Sequence, residues 1–395
     1  MSEATTIKTK LPKEWKVRKL GGPDVAQLIM GQSPPSHTYN TQQIGLPFFQ
    51  GKADFGQLYP SAQKWCSSPL KVARKNDVLI SVRAPVGDVN LSNIDCCIGR
   101  GLAAIRGQKS VNTAYIFFYL WAHKNDIEHL GTGTTFKSIN KQVLHNFQII
   151  FPPLPTQKKI TAVLFKIQRA IEMQEKNLRS LCDLKKSTMQ FIFTHGLRGE
   201  KTKITEIGEI PESWEMVRFI DFAVLQRGFD ITKREQLPGK VPVVSSGGTS
   251  SYHNKAKCNG PGVIIGRKGS LGTVHYVKGD YWPHDTTLWI KDFKGNNPLY
   301  VYWFLQTLKL ERFDSGASNP TLNRNTVHKE LIAMPNLKEQ TAIAECLASV
   351  SKKINFHKSK KAALQDLFQT ILNKLMSGEI RVKDLVININ EVSYE

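Results

Sequence analysis

Few residues in this 395-residue sequence have the types and spacing that chemistry needs. Glu14-Trp15-Lys16 forms an ExK triplet of the kind found in nucleases, but the triplet is common by chance in chains of this length. His284-Asp285 could act as an acid–base pair, yet no nucleophile is tied to it, so a turn or a base-reading site is the simpler reading. GTGTTF at 131–136 begins like a dinucleotide loop, but Phe136 stands where the third glycine belongs. There is no GxxxxGK[ST] phosphate loop, no HExxH, and no Cys/His cluster at ligand spacing. The loop with which amino-methyltransferases hold a flipped base is missing too; SNPTL (318–322) lacks its aromatic. Cys66, Cys96, Cys97, Cys182, Cys258 and Cys346 form no CxxC pair, which excludes a disulfide scaffold and the usual zinc sites. The expectation is a chain that binds without catalysing and holds no metal.

What it binds is suggested by charge. Fifty-four Lys and Arg face 33 Asp and Glu, a formal net charge of +21. The excess is +9 over residues 1–150, +5 over 151–200, +5 over 201–335 and +2 beyond, so no basic tail carries it. A cationic surface spread in this way suits a polyanion such as nucleic acid, although it also serves solubility. No apolar run reaches the ~18–20 residues of a membrane span, and the N-terminus has no apolar signal core. A cytoplasmic protein with no membrane partner is expected.

The elements that would position binding residues come in two copies. At a constant offset of 183, Gly133 matches Gly316, Asn140 matches Asn323, Pro152 matches Pro335 and Gln157 matches Gln340. LPKEW (11–15) matches IPESW (210–214) at an offset of 199, so the first globular half is 16 residues longer. Each half ends in a heptad stripe. Ile160, Leu164, Ile167, Ile171, Leu178 and Leu181 lie along the first, and Ile343, Leu347, Val350, Ile354, Leu364, Phe368, Ile371 and Leu375 along the second. Alternating steps of four and three predict two helices of about 39 residues that pack antiparallel on each other. Prolines precede both stripes, and Gly196 and Gly378 follow as C-caps. Gln174, His357, Lys185 and Lys361 interrupt the stripes, either to fix register or as solvated flaws.

The globular halves read as strand-rich. Segments 76–89 and 260–274 have hairpin patterning, and 113–124 and 297–309 read as short aromatic amphipathic helices. Their aromatics suit a core better than a platform for stacked bases. Asn140 and Asn323 suit caps or turn braces. The expected fold class is α+β, with two pseudo-repeated globular α/β domains separated by two long helices in an antiparallel coiled coil.

NDVLISVRAPVGDVNLSNIDCCIGRGLAAIR (76–106), FPPLPTQKKI (151–160), FTHGLRGE (193–200), TEIGEIPESWEMVR (205–218) and KEQTAIAECLASVSKKI followed by LMSGEI carry a family resemblance. Together they resemble the specificity subunit of Type I restriction–modification enzymes over essentially the whole chain. The resemblance implies target-recognition domains at 1–150 and 201–335. It implies conserved helical regions at 151–200 and at 336–395, the latter including a C-terminal tail. It also implies a non-catalytic subunit that reads an asymmetric bipartite site in double-stranded DNA. The helices would serve as spacer and as docking surface for two methyltransferase subunits, with motor–nuclease subunits completing the complex. S-adenosylmethionine, ATP and Mg would then belong to those partners, and no cofactor to this chain.

Candidate DNA contacts combine glycine-permitted turns with side chains able to reach a base edge or a phosphate. They are Gln50, Lys52, Arg83, Thr134, Thr135 and Lys137 in the first domain. In the second they are Ser245, Ser246, Arg267, Lys268, His284, Ser318 and Asn319. Each could equally be a solvated loop residue. Arg83 and Arg267 fall in corresponding hairpin turns.

Overall fold

A computed structural model of the chain describes residues 12–132, 137–313 and 320–382. Two compact units emerge: one takes the chain up to Met173 and resumes at Lys360, the other runs Gln174–Ser359.

In the first unit an antiparallel sheet has the strand order Ala26–Met30, Leu102–Gly107, Val78–Ser81, Val89–Leu91. The second unit repeats that order with Val224–Arg227, Thr287–Asp292, Gly262–Gly266 and Val274–Val277. A second sheet has five strands in the first unit and three in the second, and in each it contains one parallel pair. Lys16–Lys19 pairs with Gln148–Phe151, and Glu215–Arg218 with Leu331–Met334. The first members of these two pairs differ by 199 and the second by 183, so both sequence offsets appear in one ladder.

The aromatic segments form helices Thr113–Ala122 and Pro298–Leu305, opened by the side chains of Asn112 and Asn297. The expected amphipathic character is not found. Residues 114–120 are all buried, because this helix is apolar on every side and is packed by the sheet, the long helices and the surrounding loops. Its aromatics are core.

The heptad stripes form helices Leu154–His195 and Leu337–Met376. Pro155 lies inside the first turn, where a missing N–H costs nothing. Gly196 (φ +73°) and Gly378 (φ +74°) follow the C-termini in the left-handed region that glycine tolerates. Each unit contains the N-terminal part of one helix and the C-terminal part of the other, so the two run antiparallel. Ile160, Leu164, Ile171, Phe368 and Leu375 are buried in the first unit's core, with Ile167, Leu364 and Ile371 packed against it. Ile343 and Leu347 belong to the second unit's core. Ile354 is buried, while Leu178, Leu181 and Val350 are partly so.

Three interruptions of the stripes acquire roles. Gln174 and His357 are equivalent across the repeat, and they bond to each other, His357 Nδ1 donating to Gln174 Oε1 at 2.7 Å. Lys185 lies 4.3 Å from the Trp303 ring centre as a cation–π pair, and burial lowers its pKa. Its equivalent, Phe368, packs on Trp121 and Phe118.

A buried glutamine at the start of each long helix ties it to the aromatic helix. Gln157 Oε1 accepts from Asn112 N–H (2.9 Å) and its amide donates to Pro152 O (2.8 Å). Gln340 does the same with Asn297 N–H and Pro335 O, both at 3.0 Å, and adds Asn296 Oδ1 at 2.7 Å.

Candidate nucleic-acid interface

In the first unit the described candidates meet at the ends of neighbouring strands. Val82 N–H bonds Gly101 O, Val82 O accepts from Ile139 N–H, and Arg83 bridges to Ser138 beside Lys137. Gln50 follows the strand Leu46–Phe49, its backbone carbonyl packed against Gly101. Lys52 Nζ is 2.9 Å from Asp88, in the Arg83 turn, and Lys124 holds the other carboxylate oxygen at 2.7 Å. Gln50, Lys52, Arg83 and Lys137 are exposed. Thr134 and Thr135 lie outside the described residues, as do Ser318 and Asn319.

The second unit builds the same place from different side chains. His284 N–H bonds Val244 O next to Ser245, and Ser246 O accepts from Thr273 Oγ1 and His275 Nε2. Arg267 N–H bonds Thr286 O, and Arg267 O accepts from Leu322 N–H. Ser245, Ser246, Arg267, Lys268 and His284 therefore converge. His284 Nδ1 lies 2.9 Å from Asp285 and 3.1 Å from Thr286 Oγ1. Asp285 is also bound by Arg227 at 3.1 Å, which makes His284-Asp285 part of a loop-bracing network.

These bonds revise the register of the two turns. Arg267 makes the bonds that Val82 makes, so the counterpart of Arg83 is Lys268. Arg267 is the first residue after its strand, as Val82 is, whereas Arg83 is the second after its own.

Two arginines that turn-by-turn reading of the sequence does not reach join this site. Arg227 and Arg324 line a cleft of about 460 Å³ with Arg267, Leu288, Thr321, Leu322 and Asn323. They stand 40 and 57 residues from Arg267, so only the sheet register and the Asn323 cap, both legible as patterns, could have pointed to them. Asn323 and Asn140 cap the short helices Arg324–Lys329 and Lys141–Asn146.

That short helix carries a pH-sensitive bond. His328 Nε2 accepts from Leu225 N–H at 2.9 Å, and burial, then Arg324, holds its pKa below the ordinary value. The unfolded chain takes up this proton first, so the stability it contributes is present above pH ~6.5 and is lost as pH falls through the folded value. Thermal unfolding between pH 7.5 and 5 should show a fall in Tm that is smaller in His328→Gln. Equal falls would remove His328 as the cause.

Among the described residues no helix is long and apolar enough to cross a membrane. The family model described as the Type I restriction modification DNA specificity domain matches residues 12–181 and 211–366. The putative type I restriction enzyme MjaX specificity subunit of Methanocaldococcus jannaschii is 44% identical over 189 residues, 48% of this chain and 44% of that protein. The chain thus spans under half of that relative's length. The MjaVIII specificity subunit of the same organism is 22% identical over 95% of both chains. The crystal structure of the S subunit of a Type I restriction–modification system from M. genitalium shares the fold, with a TM-score of 0.68 at 16% identity over 93% of this chain and 96% of that one. With its two globular units, its paired long helices and a family model matched in both halves, the chain belongs to the Type I restriction–modification DNA specificity subunits.

Proposed function

We propose that each unit reads one half of an asymmetric bipartite site in duplex DNA, and that the long helices space the halves and dock two methyltransferase subunits. The observation that carries this reading is one framework with unlike side chains at the same loops. Gln50 and Arg83 in the first unit stand where Ser245 and Lys268 stand in the second. Equal scaffolds present different hydrogen-bonding groups, so the half-sites differ and the base pairs between them go unread. Residues 1–150 and 201–335 are the recognition domains in this reading, and 151–200 and 336–395 the conserved helical regions. S-adenosylmethionine sits on the methyltransferases, ATP and Mg on motor–nuclease subunits, and the assembly works on cytoplasmic DNA.

The helices support docking through repeated exposure. Met173 and Phe356 are equivalent, as are Leu184 and Leu367, and all four large apolar side chains are exposed. Eleven residues separate the members on each helix, three turns that return to one face.

A genome-wide map of methylated adenines, in cells expressing this chain with its cognate methyltransferase, tests the proposal. Split motifs with unlike halves and a fixed gap, lost when this gene alone is deleted, are expected. An unchanged map with the complex expressed would refute it.

A further inference from the structure

We propose that Arg227, Arg267 and Arg324 form a clamp for one backbone phosphate of duplex DNA, present in the second unit alone. The inference rests on the DNA-binding reading above and adds a named contact to it. The three guanidiniums come from a strand end, a hairpin turn and the first residue of a short helix, and they line one open cleft. Arg227 is held by Asp285 at 3.1 Å, with Asp230 at 3.6 Å. Arg267 and Arg324 have no carboxylate partner among the described residues. The Nη1 of Arg267 is also buried and makes no hydrogen bond among the described residues. A buried guanidinium N–H without an acceptor is costly, and a small shift of the Arg267 side chain toward a ligand oxygen in the cleft would relieve it.

The ligand class follows from the number of cations. A guanine edge offers O6 and N7 to one bidentate arginine, and further guanidiniums around it would face the N4 amino donor of the paired cytosine. A phosphate presents two anionic oxygens that accept from several N–H groups at once. Leu288 is an apolar wall on a cleft otherwise lined mainly by cationic and polar side chains. In the first unit Met30 and Val82 occupy two of the three places, and Lys141 alone retains charge. The second unit is therefore the one anchored here by charge.

The test uses the full chain with its methyltransferase subunits, on a target duplex taken from the methylation map and on an unrelated duplex. Arg267→Ala and Arg324→Ala should each weaken binding about 5- to 10-fold on both duplexes and lower the slope of log K against log salt by about one. The methylated motif should not change. In a scan of single methylphosphonates, one neutralised position beside the second unit's half-site should weaken the unaltered protein, and weaken Arg324→Ala by a smaller factor because its clamp has one cation fewer. Arg324 is exposed, so its variant tests the clamp even if Arg267→Ala does not fold. An unchanged salt slope, no such position in the scan, or a motif relaxed at one base would overturn the clamp. Equal affinity of the unaltered protein for both duplexes would instead remove sequence reading, and the clamp would still be judged on either duplex.

Discussion

Replacing Gln340 with leucine is expected to destabilise the second unit by about 3–4 kcal/mol, the loss for one buried and two part-buried groups left partnerless at 1–3 kcal/mol each with incomplete additivity. The groups are Asn297 N–H, Pro335 O and Asn296 Oδ1. Leucine matches the volume but supplies no donor or acceptor, so packing does not compensate. Asn297 also opens the aromatic helix, and its displacement would loosen Tyr300, Trp303 and Phe304 in the core. For a unit of this size the loss corresponds to a Tm lower by about 8–15 °C. Gln157→Leu breaks two bonds, not three, and should cost less. Calorimetry of both variants checks the order; a Tm change under about 3 °C for Gln340→Leu would show that water replaces the lost partners.

The second large effect concerns assembly. Met173→Asp and Phe356→Asp each place a carboxylate on an exposed helix position, where folding should tolerate it. If these positions anchor a partner's apolar surface, each change costs about 2–4 kcal/mol of docking, roughly 30- to 1,000-fold in affinity. Native mass spectrometry should find one methyltransferase subunit on either single variant and none on the double variant, with adenine methylation lost from the double. Two subunits retained on both single variants would move the docking surface elsewhere.

How far residues speak for themselves differs between scaffold and site. The repeat was legible because Gln157 and Gln340 sit at one offset, and their bonds show why both halves need an amide there. The stripe at Lys185 reads as a flaw until Trp303, 118 residues away, is brought beneath its ammonium group. Heptad spacing reports which positions face inward and is silent on what they meet. Arg83 and Arg267 look equivalent because both follow a β-branched run and precede a glycine-containing turn. Arg267 directly follows its strand while Arg83 stands one residue further on, a shift of one that the local residue pattern does not reveal. Arg227 and Arg324 carry no local signal, since convergence of three distant loops is a property of sheet register. The aromatic segment reads as amphipathic because residues 113–124 include a polar end, whereas the helical turns themselves are apolar throughout.

The division of the long helices between the units bears on the order in which the chain can fold as it leaves the ribosome. Residues 174–359 are contiguous, so the second unit has its whole core as soon as that stretch has emerged. The first unit draws Phe368, Leu372, Leu375, Met376 and Val382 into its own core. Its N-terminal part is synthesised first and closes last, against the usual N-to-C order of domain folding. Until translation nears its end, Phe118 and Trp121 lack their packing partner Phe368, and the nascent chain carries an unfinished apolar surface through most of its synthesis.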